Sequence, residues 1–377
     1  MQKFIKFYLY FLPFFSLLGI LLSISRVAFS DSYLQAFILI GAIIDMLIVF
    51  FGRKHLANRV VLFVLFLLIV SLLVGLMQEN EISRRYITDF TNPFFFFSKI
   101  YIFSAYWKKN DFKKFIVYYT KVSFLGSIVL LPITYFLFAL AGATRLSIFP
   151  PMELPFSYFM KNNLIFFMIS FIIILLYGKR AQLLGAIVTF LLFVFYFNKK
   201  NHGTYLLLII VCSVGLFYGL TIFSDNLAVH RILYTLEQFT SADDNMSRVS
   251  NVASVRKLEV DSILREMNSV FDFIFGKGLG FTYYFENTGN YERANAHFSP
   301  ISFLSKYGIF FTIFIYSFLL SVLFKRKKKY SSLYTIANIT CLFVFLESFF
   351  AYALFVTPIF VVVFGYILNE QKNSKIL

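Results

Sequence analysis

Cysteine is almost missing from this chain: Cys212 and Cys341 are the only two, and both fall inside long apolar runs. That placement excludes a disulfide framework, a Cys-rich metal site and a thiol nucleophile. Acidic residues are scarce too, 19 against 35 Lys and Arg, which leaves a formal net charge of +16. The basic residues lie in short clusters between apolar runs. That is the positive-inside pattern of membrane proteins and argues against a nucleic-acid partner. No G-x-G-x-x-G follows a strand pattern, so a Rossmann site is excluded, and no repeat of fixed period is visible. No small-residue cleavage site follows the first apolar run, which is expected to be a retained helix.

What is abundant is hydrophobic sequence, 59% of the chain. Windows free of Asp, Glu, Lys and Arg run over Phe7–Ser25, Val60–Gln78, Val122–Thr144, Gly203–Ser224, Tyr307–Phe324 and Ser348–Asn369. Each is close to the roughly 20 residues that cross a hydrocarbon core as a helix. Runs such as Phe94-Phe95-Phe96-Phe97 lack the alternation of barrel strands, so the expected fold class is an all-α polytopic membrane protein. Placing Lys3/Lys6, Arg53-Lys54/Arg59 and Lys108 to Lys114 in the cytoplasm gives four spans before Lys114. Keeping the run Lys325–Lys329 inside then requires the Pro-broken segment Leu146–Met160 to cross as well. The expectation is about twelve spans: membrane helices over 1–223, a large outer loop over 224–297, and the last helices with a cytoplasmic end over 298–377.

The outer loop, Ser224–His297, holds ten acidic and seven basic residues, a charge of −3. The rest of the chain is therefore +19, since the whole is +16. Within the loop, Val249, Val252, Val260, Ile263, Met267, Val270 and Ile274 fall on one helical stripe, predicting an amphipathic helix over 249–274. Arg256 lies in that stripe and Arg265 opposite it. A guanidinium on a packing face needs a partner. Two readings stand: a local pair with Glu259, or a cavity position from which Arg256 grips an anion bidentately.

Gly276, Gly278 and Gly280 follow. They permit positive φ and close approach, either as a tight turn or as a cradle of N–H groups for phosphate. His297 comes next, beside the start of a helix in which Ser299 can cap and Pro300 suits the first position. It is read as a capping-region histidine or as a functional group at an anion-favouring helix N-terminus. Arg180 opens a mid-chain span, as a snorkelling arginine or as a wall of an outward-facing cavity.

Three elements in this order resemble the bacterial O-antigen polymerase and O-antigen ligase superfamily. They are Gly178-Lys179-Arg180-Ala181, Arg256 in the loop helix, and Phe275-Gly276-Lys277-Gly278-Leu279-Gly280 followed by His297. The resemblance covers roughly Lys179 to Phe324. It implies a GT-C-like inner-membrane glycosyltransferase with no metal and no cofactor, working at the periplasmic face. The implied substrate is undecaprenyl-pyrophosphate-linked oligosaccharide, with a chain-length regulator and a flippase as partners. Arg180 and Arg256, with the turn glycines Gly276, Gly278 and Gly280, would hold the pyrophosphate, and Arg248 is the alternative to Arg256 in register. His297 would accept or orient the acceptor's proton. Repeat-unit polymerase is the expected activity, with the ligase as runner-up. The rival of another class is a lipid-linked-sugar flippase or transporter, for which Asp45, Lys99, Lys121, Glu153, Lys306 and Glu347 are intramembrane candidates.

Overall fold

The computed structural model describes residues 2–28, 31–141, 150–177, 179–197, 203, 257–285, 291–325, 331–351 and 354–373. The protein is mostly helical. Its helices are α1 (Gln2–Ala28), α2 (Asp31–Phe51), α3 (Arg59–Met77), α4 (Arg84–Tyr106), α5 (Lys109–Ala141), α6 (Glu153–Asn162), α7 (Leu164–Leu176) and α8 (Arg180–Leu192). Then come α9 (257–266) and α10 (Val270–Phe275). A two-stranded antiparallel hairpin follows, β1 (Tyr283–Phe285) with β2 (Tyr291–Arg293), and then α11 (Ser299–Leu323), α12 (Ser332–Glu347) and α13 (Pro358–Asn373).

Among the described residues, four helices are long and apolar enough to cross a membrane, within α1, α3, α5 and α11. Four helices precede Lys109, in the region where four spans were expected, and of these α1 and α3 contain candidate spans. The segment Leu146–Met160 was expected to cross. Its described part carries α6, whose ten residues reach about 15 Å, half a hydrocarbon core. Residues 142–149 and 204–224, the latter nearly all of the window Gly203–Ser224, lie outside the described residues.

The chain divides into two compact units. One is Met1–Tyr8, Ile40–Lys114 and Ala253–Leu377; the other is Leu9–Leu39 and Phe115–Val252. In the first unit α4 runs along α13. Phe96, Phe97, Ile100 and Phe103 are buried, and Phe96 stacks on Phe360 at 5.5 Å. Gly365 allows the close approach, because a Cβ there would sit 2.7 Å from Phe103 Cβ. Lys99 of α4 donates to Asp45 of α2 at 2.6 Å, satisfying two charges at apolar depth. In the second unit α6 packs on α7 and α7 on α8. There the Gln182 amide donates to the buried Glu153 carboxylate at 2.9 Å and to the Pro150 carbonyl at 2.8 Å.

The expected single helix over 249–274 is two helices in its described part. Its stripe holds through Val260, Ile263 and Met267, which pack with Phe281, Tyr283, Phe285, Ala296 and Ile301. It then ends, because Ser269 restarts the chain with a capping box. The Ser269 hydroxyl accepts from Asp272 N–H at 3.1 Å, and the Asp272 carboxylate accepts from Ser269 N–H at 3.2 Å. Val270 is consequently 76% exposed rather than on the packing face. The hairpin is a second departure from an all-helical loop. An aromatic run, Tyr283-Tyr284-Phe285, precedes Asn287, Gly289 and Asn290 in the sequence, residue types that favour turns in general.

Beyond Ser269 the chain dips between α3 and α11. Lys277 N–H donates to Ser305 O at 2.6 Å, and Leu279 N–H donates to Ser71 O at 3.1 Å. α11 is interrupted at Gly308 (φ 77°, ψ −179°). A Cβ at Gly308 would run into the Ile274 carbonyl, so the break and the dipping segment fit each other backbone to backbone.

Candidate functional site

The site is organised around Glu259, whose side chain is 1% exposed. Its stripe partners bury it on α9, and it gathers donors from the hairpin and from the approach to α11. Arg293 Nη1 donates to Oε1 at 2.8 Å, and the Tyr283 hydroxyl donates to the same oxygen at 3.0 Å. His297 N–H donates to Oε2 at 3.0 Å, and His297 Nδ1 lies 3.0 Å from Oε1. The register pairing Tyr283 with Arg293 across the hairpin is what aims both at one carboxylate. Arg293 also lies 4.1 Å over the Phe285 ring.

Burial pushes the Glu259 carboxyl up. The hydrogen bonds and charge of His297, with Arg293, outweigh that and hold it down to about 2. Burial, and then the negative charge of Glu259, push the Tyr283 hydroxyl up, so it stays a donor. An ionised carboxylate can only accept, so Nδ1 of His297 carries a hydrogen toward Glu259. In the neutral ring Nε2 is then the lone-pair nitrogen. The His297 side chain is 48% exposed while its ring is anchored at Nδ1. A histidine oriented by a buried carboxylate is the base-and-orienter arrangement of hydrolytic and transfer enzymes.

The helix start next to His297 differs from the expected cap. Phe298 is the N-cap residue, and Ser299 is the first helical residue. The Ser299 hydroxyl donates to Ala351 O at 3.2 Å, while Ser302 Oγ accepts the Ala296 N–H at 3.1 Å. The connection is thus pinned to α11 and to the segment between α12 and α13, and is not closed by a local serine cap.

The Gly-rich turn lies beside this group. Gly276, Gly278 and Gly280 all adopt positive φ, 78°, 83° and 79°, as the three-glycine spacing anticipated. Their N–H neighbourhood is occupied, however. Gly276 N–H donates to Asp272 O at 2.8 Å and Gly280 N–H to Asp89 Oδ2 at 3.1 Å, while Lys277 and Leu279 bond to α11 and α3. These four amides serve protein acceptors, and the turn is closely packed. A Cβ on Gly278 would overlap the backbone of Gly75, and one on Gly276 would lie 2.6 Å from the Lys306 carbonyl carbon. Gly278→Ala is therefore expected to lower stability by about 2–5 kcal/mol, from positive-φ strain plus overpacking. A thermal-unfolding midpoint in detergent equal to wild type would contradict this.

Under the turn lies a buried ion pair. Lys306 Nζ donates to Asp89 Oδ1 at 2.6 Å and to Asn295 Oδ1 at 2.8 Å. The Tyr307 hydroxyl donates to Asp89 O at 2.8 Å. Asn80 Nδ2 donates to the carbonyls of Lys277 and Leu279 at 2.8 and 2.9 Å. α4, α11, the turn and the segment leading to His297 are thereby tied at one point.

Of the sequence-derived residues, Gly276, Gly278, Gly280 and His297 share the first unit. Arg180 is the first residue of α8 in the second unit, and its side chain is outside the described set. Arg248 and Arg256 also lie outside the described residues. The local partner proposed for Arg256, Glu259, has the remote partners given above. Sequence reasoning missed Glu259, Arg293 and Tyr283 as members of the site, and missed the Asp89–Lys306 pair. The available signal was Glu259 itself, which shares the apolar stripe with Ile263 and so demands a donor. Among the described residues no three His, Cys, Asp or Glu side chains converge as a metal site would need. Comparisons with protein-family models, curated proteins and solved structures find no match to this chain.

Proposed function

We infer that this protein is a membrane glycosyltransferase that polymerises undecaprenyl-pyrophosphate-linked oligosaccharide repeat units at the outer face of the bacterial inner membrane. The observation that carries the reading is His297, bound through Nδ1 to buried Glu259 with about half of its side chain exposed. In the proposed step the acceptor sugar hydroxyl attacks the anomeric carbon of the donor chain. The bond from that carbon to the pyrophosphate oxygen breaks, the lipid pyrophosphate leaves with the electron pair, and the hydroxyl proton passes to His297 Nε2. Arg180 and Arg256, or Arg248 in its register, are the proposed fixed positive charges for the departing pyrophosphate. The glycine turn enters this scheme as the scaffold that sets His297 in place.

The topology that goes with the reading is about twelve spans with both ends cytoplasmic and 224–297 outside. A chain-length regulator and a flippase would be its partners. Two charged groups that suggested a transport path, Lys99 and Lys306, are engaged in ion pairs with Asp45 and Asp89. That use favours a stitched scaffold over a polar conduit.

The test is a deletion strain assayed for surface glycolipids. Retention of single-repeat glycolipid with loss of polymer is the expected result. Loss of all surface attachment would assign a ligase, and precursor trapped on the cytoplasmic leaflet would assign a flippase.

A further inference from the structure

We propose that the face of α10 formed by Val270, Phe271 and Phe273 is seated in the hydrocarbon of the outer leaflet, so that 269–280 is a re-entrant element held against lipid acyl chains. The exposures are 76%, 40% and 41%, an unusual load of apolar surface for six helical residues outside a span.

What covers that face follows from depth. Lys277 is bonded at the level of Ser305, and Leu279 at the level of Ser71. Ser305 is six residues inside the start of α11, and Ser71 is six residues before the end of α3. At 1.5 Å per residue the turn lies about 9 Å inside both helix ends. The Ile274 carbonyl is deeper still, against Gly308, nine residues into α11, or about 13 Å. The 25 residues of α11 span about 37 Å, roughly 7 Å more than a 30 Å hydrocarbon core. With all of that excess assigned to this side, Ile274 still lies about 6 Å within the hydrocarbon.

The backbone chemistry agrees. Irregular backbone is tolerated at membrane depth only where protein groups satisfy it. Here the N–H groups of Gly276, Lys277, Leu279 and Gly280 all bond to protein acceptors. The two charges carried down with the segment neutralise each other, with Lys277 Nζ 3.1 Å from Asp272 Oδ2 and the carboxylate 3% exposed. What remains facing outward is Val270, Phe271 and Phe273, continuous with helices α3 and α11 on which α10 packs. The inference requires that α3 and α11 span a membrane and is independent of the transfer chemistry.

The experiment places single spin labels at Val270→Cys and Phe273→Cys in a Cys212→Ser/Cys341→Ala background reconstituted into phosphatidylcholine/phosphatidylglycerol vesicles. Power saturation compares collisions with oxygen, which concentrates in lipid, and with a water-soluble nickel chelate. Labels at Leu73 and Phe310, 53% and 59% exposed on α3 and α11, set the lipid value, and one at Glu266 sets the aqueous value. The expected result is an oxygen-to-nickel ratio at 270 and 273 several-fold above that at 266 and close to those at 73 and 310. A ratio like that of 266 would return α10 to an aqueous loop. Low accessibility to both reagents would mean that protein covers the face, and would equally overturn the proposal.

Discussion

Lys306→Met is expected to lower folding stability by about 3–5 kcal/mol, the cost of leaving a buried carboxylate without its counter-ion. The Lys306 and Asp89 side chains are 1% and 6% exposed, and their contact is 2.6 Å. Removing the ammonium strands Asp89 among the Gly280 amide and apolar helix. Removing both charges, in Asp89→Asn/Lys306→Met, is expected to recover most of the loss, because an ion pair in a low-dielectric setting is worth little against a neutral replacement. Chemical unfolding in detergent micelles would measure both proteins. A double variant no more stable than Lys306→Met would show that the lysine acts through something other than its pairing with Asp89.

The second large effect belongs to His297 and Glu259. His297→Ala is expected to lower turnover by about 10²–10⁴-fold while lipid-pyrophosphate donor binding stays near normal. Glu259→Gln keeps the shape but cannot accept from Arg293, Tyr283 and two His297 donors as a carboxylate does, so turnover should fall within the same range with donor binding retained. There is a pH consequence with a definite sign. The Glu259 carboxyl is held down to about 2 from an ordinary 4.5. Its contribution to stability is therefore complete above pH 4.5 and fades as the pH falls toward 2. Glu259→Gln should lose that acid-side step in unfolding experiments. A variant whose donor affinity collapses in parallel with turnover would make Glu259 part of the donor site instead of the positioner of His297.

Much of the scaffold was legible in the sequence, for physical reasons. Charge-free windows of span length announce helices directly, and α1, α3, α5 and α11 answer to them. The stripe through Val260, Ile263 and Met267 was equally readable, because helix period and packing face are local properties. The stop after Met267 was readable too: Ser269 and Asp272 make a capping box whose spacing stands in the sequence, although the apolar Val270 and Ile274 disguised it.

What sequence did not disclose is the set of long-range partners. Glu259 finds Arg293 and His297 at separations of 34 and 38 residues, and Asp89 finds Lys306 at 217. No local pattern encodes such pairings; only the requirement that each buried charge be met was visible. The three glycines show the same division. Their spacing announced positive φ, whereas the remote acceptors that take up the turn's N–H groups come from α3, α4 and α11.

The central claim is that His297, set by Glu259, takes the acceptor proton in glycosyl transfer from a lipid pyrophosphate. Its most direct test is purified protein in proteoliposomes supplied with undecaprenyl-pyrophosphate-linked oligosaccharide and followed by gel for chain extension. Wild type should yield a ladder of extended chains with release of undecaprenyl pyrophosphate, and His297→Ala should bind the donor but leave it unextended. A full ladder from His297→Ala would contradict the account.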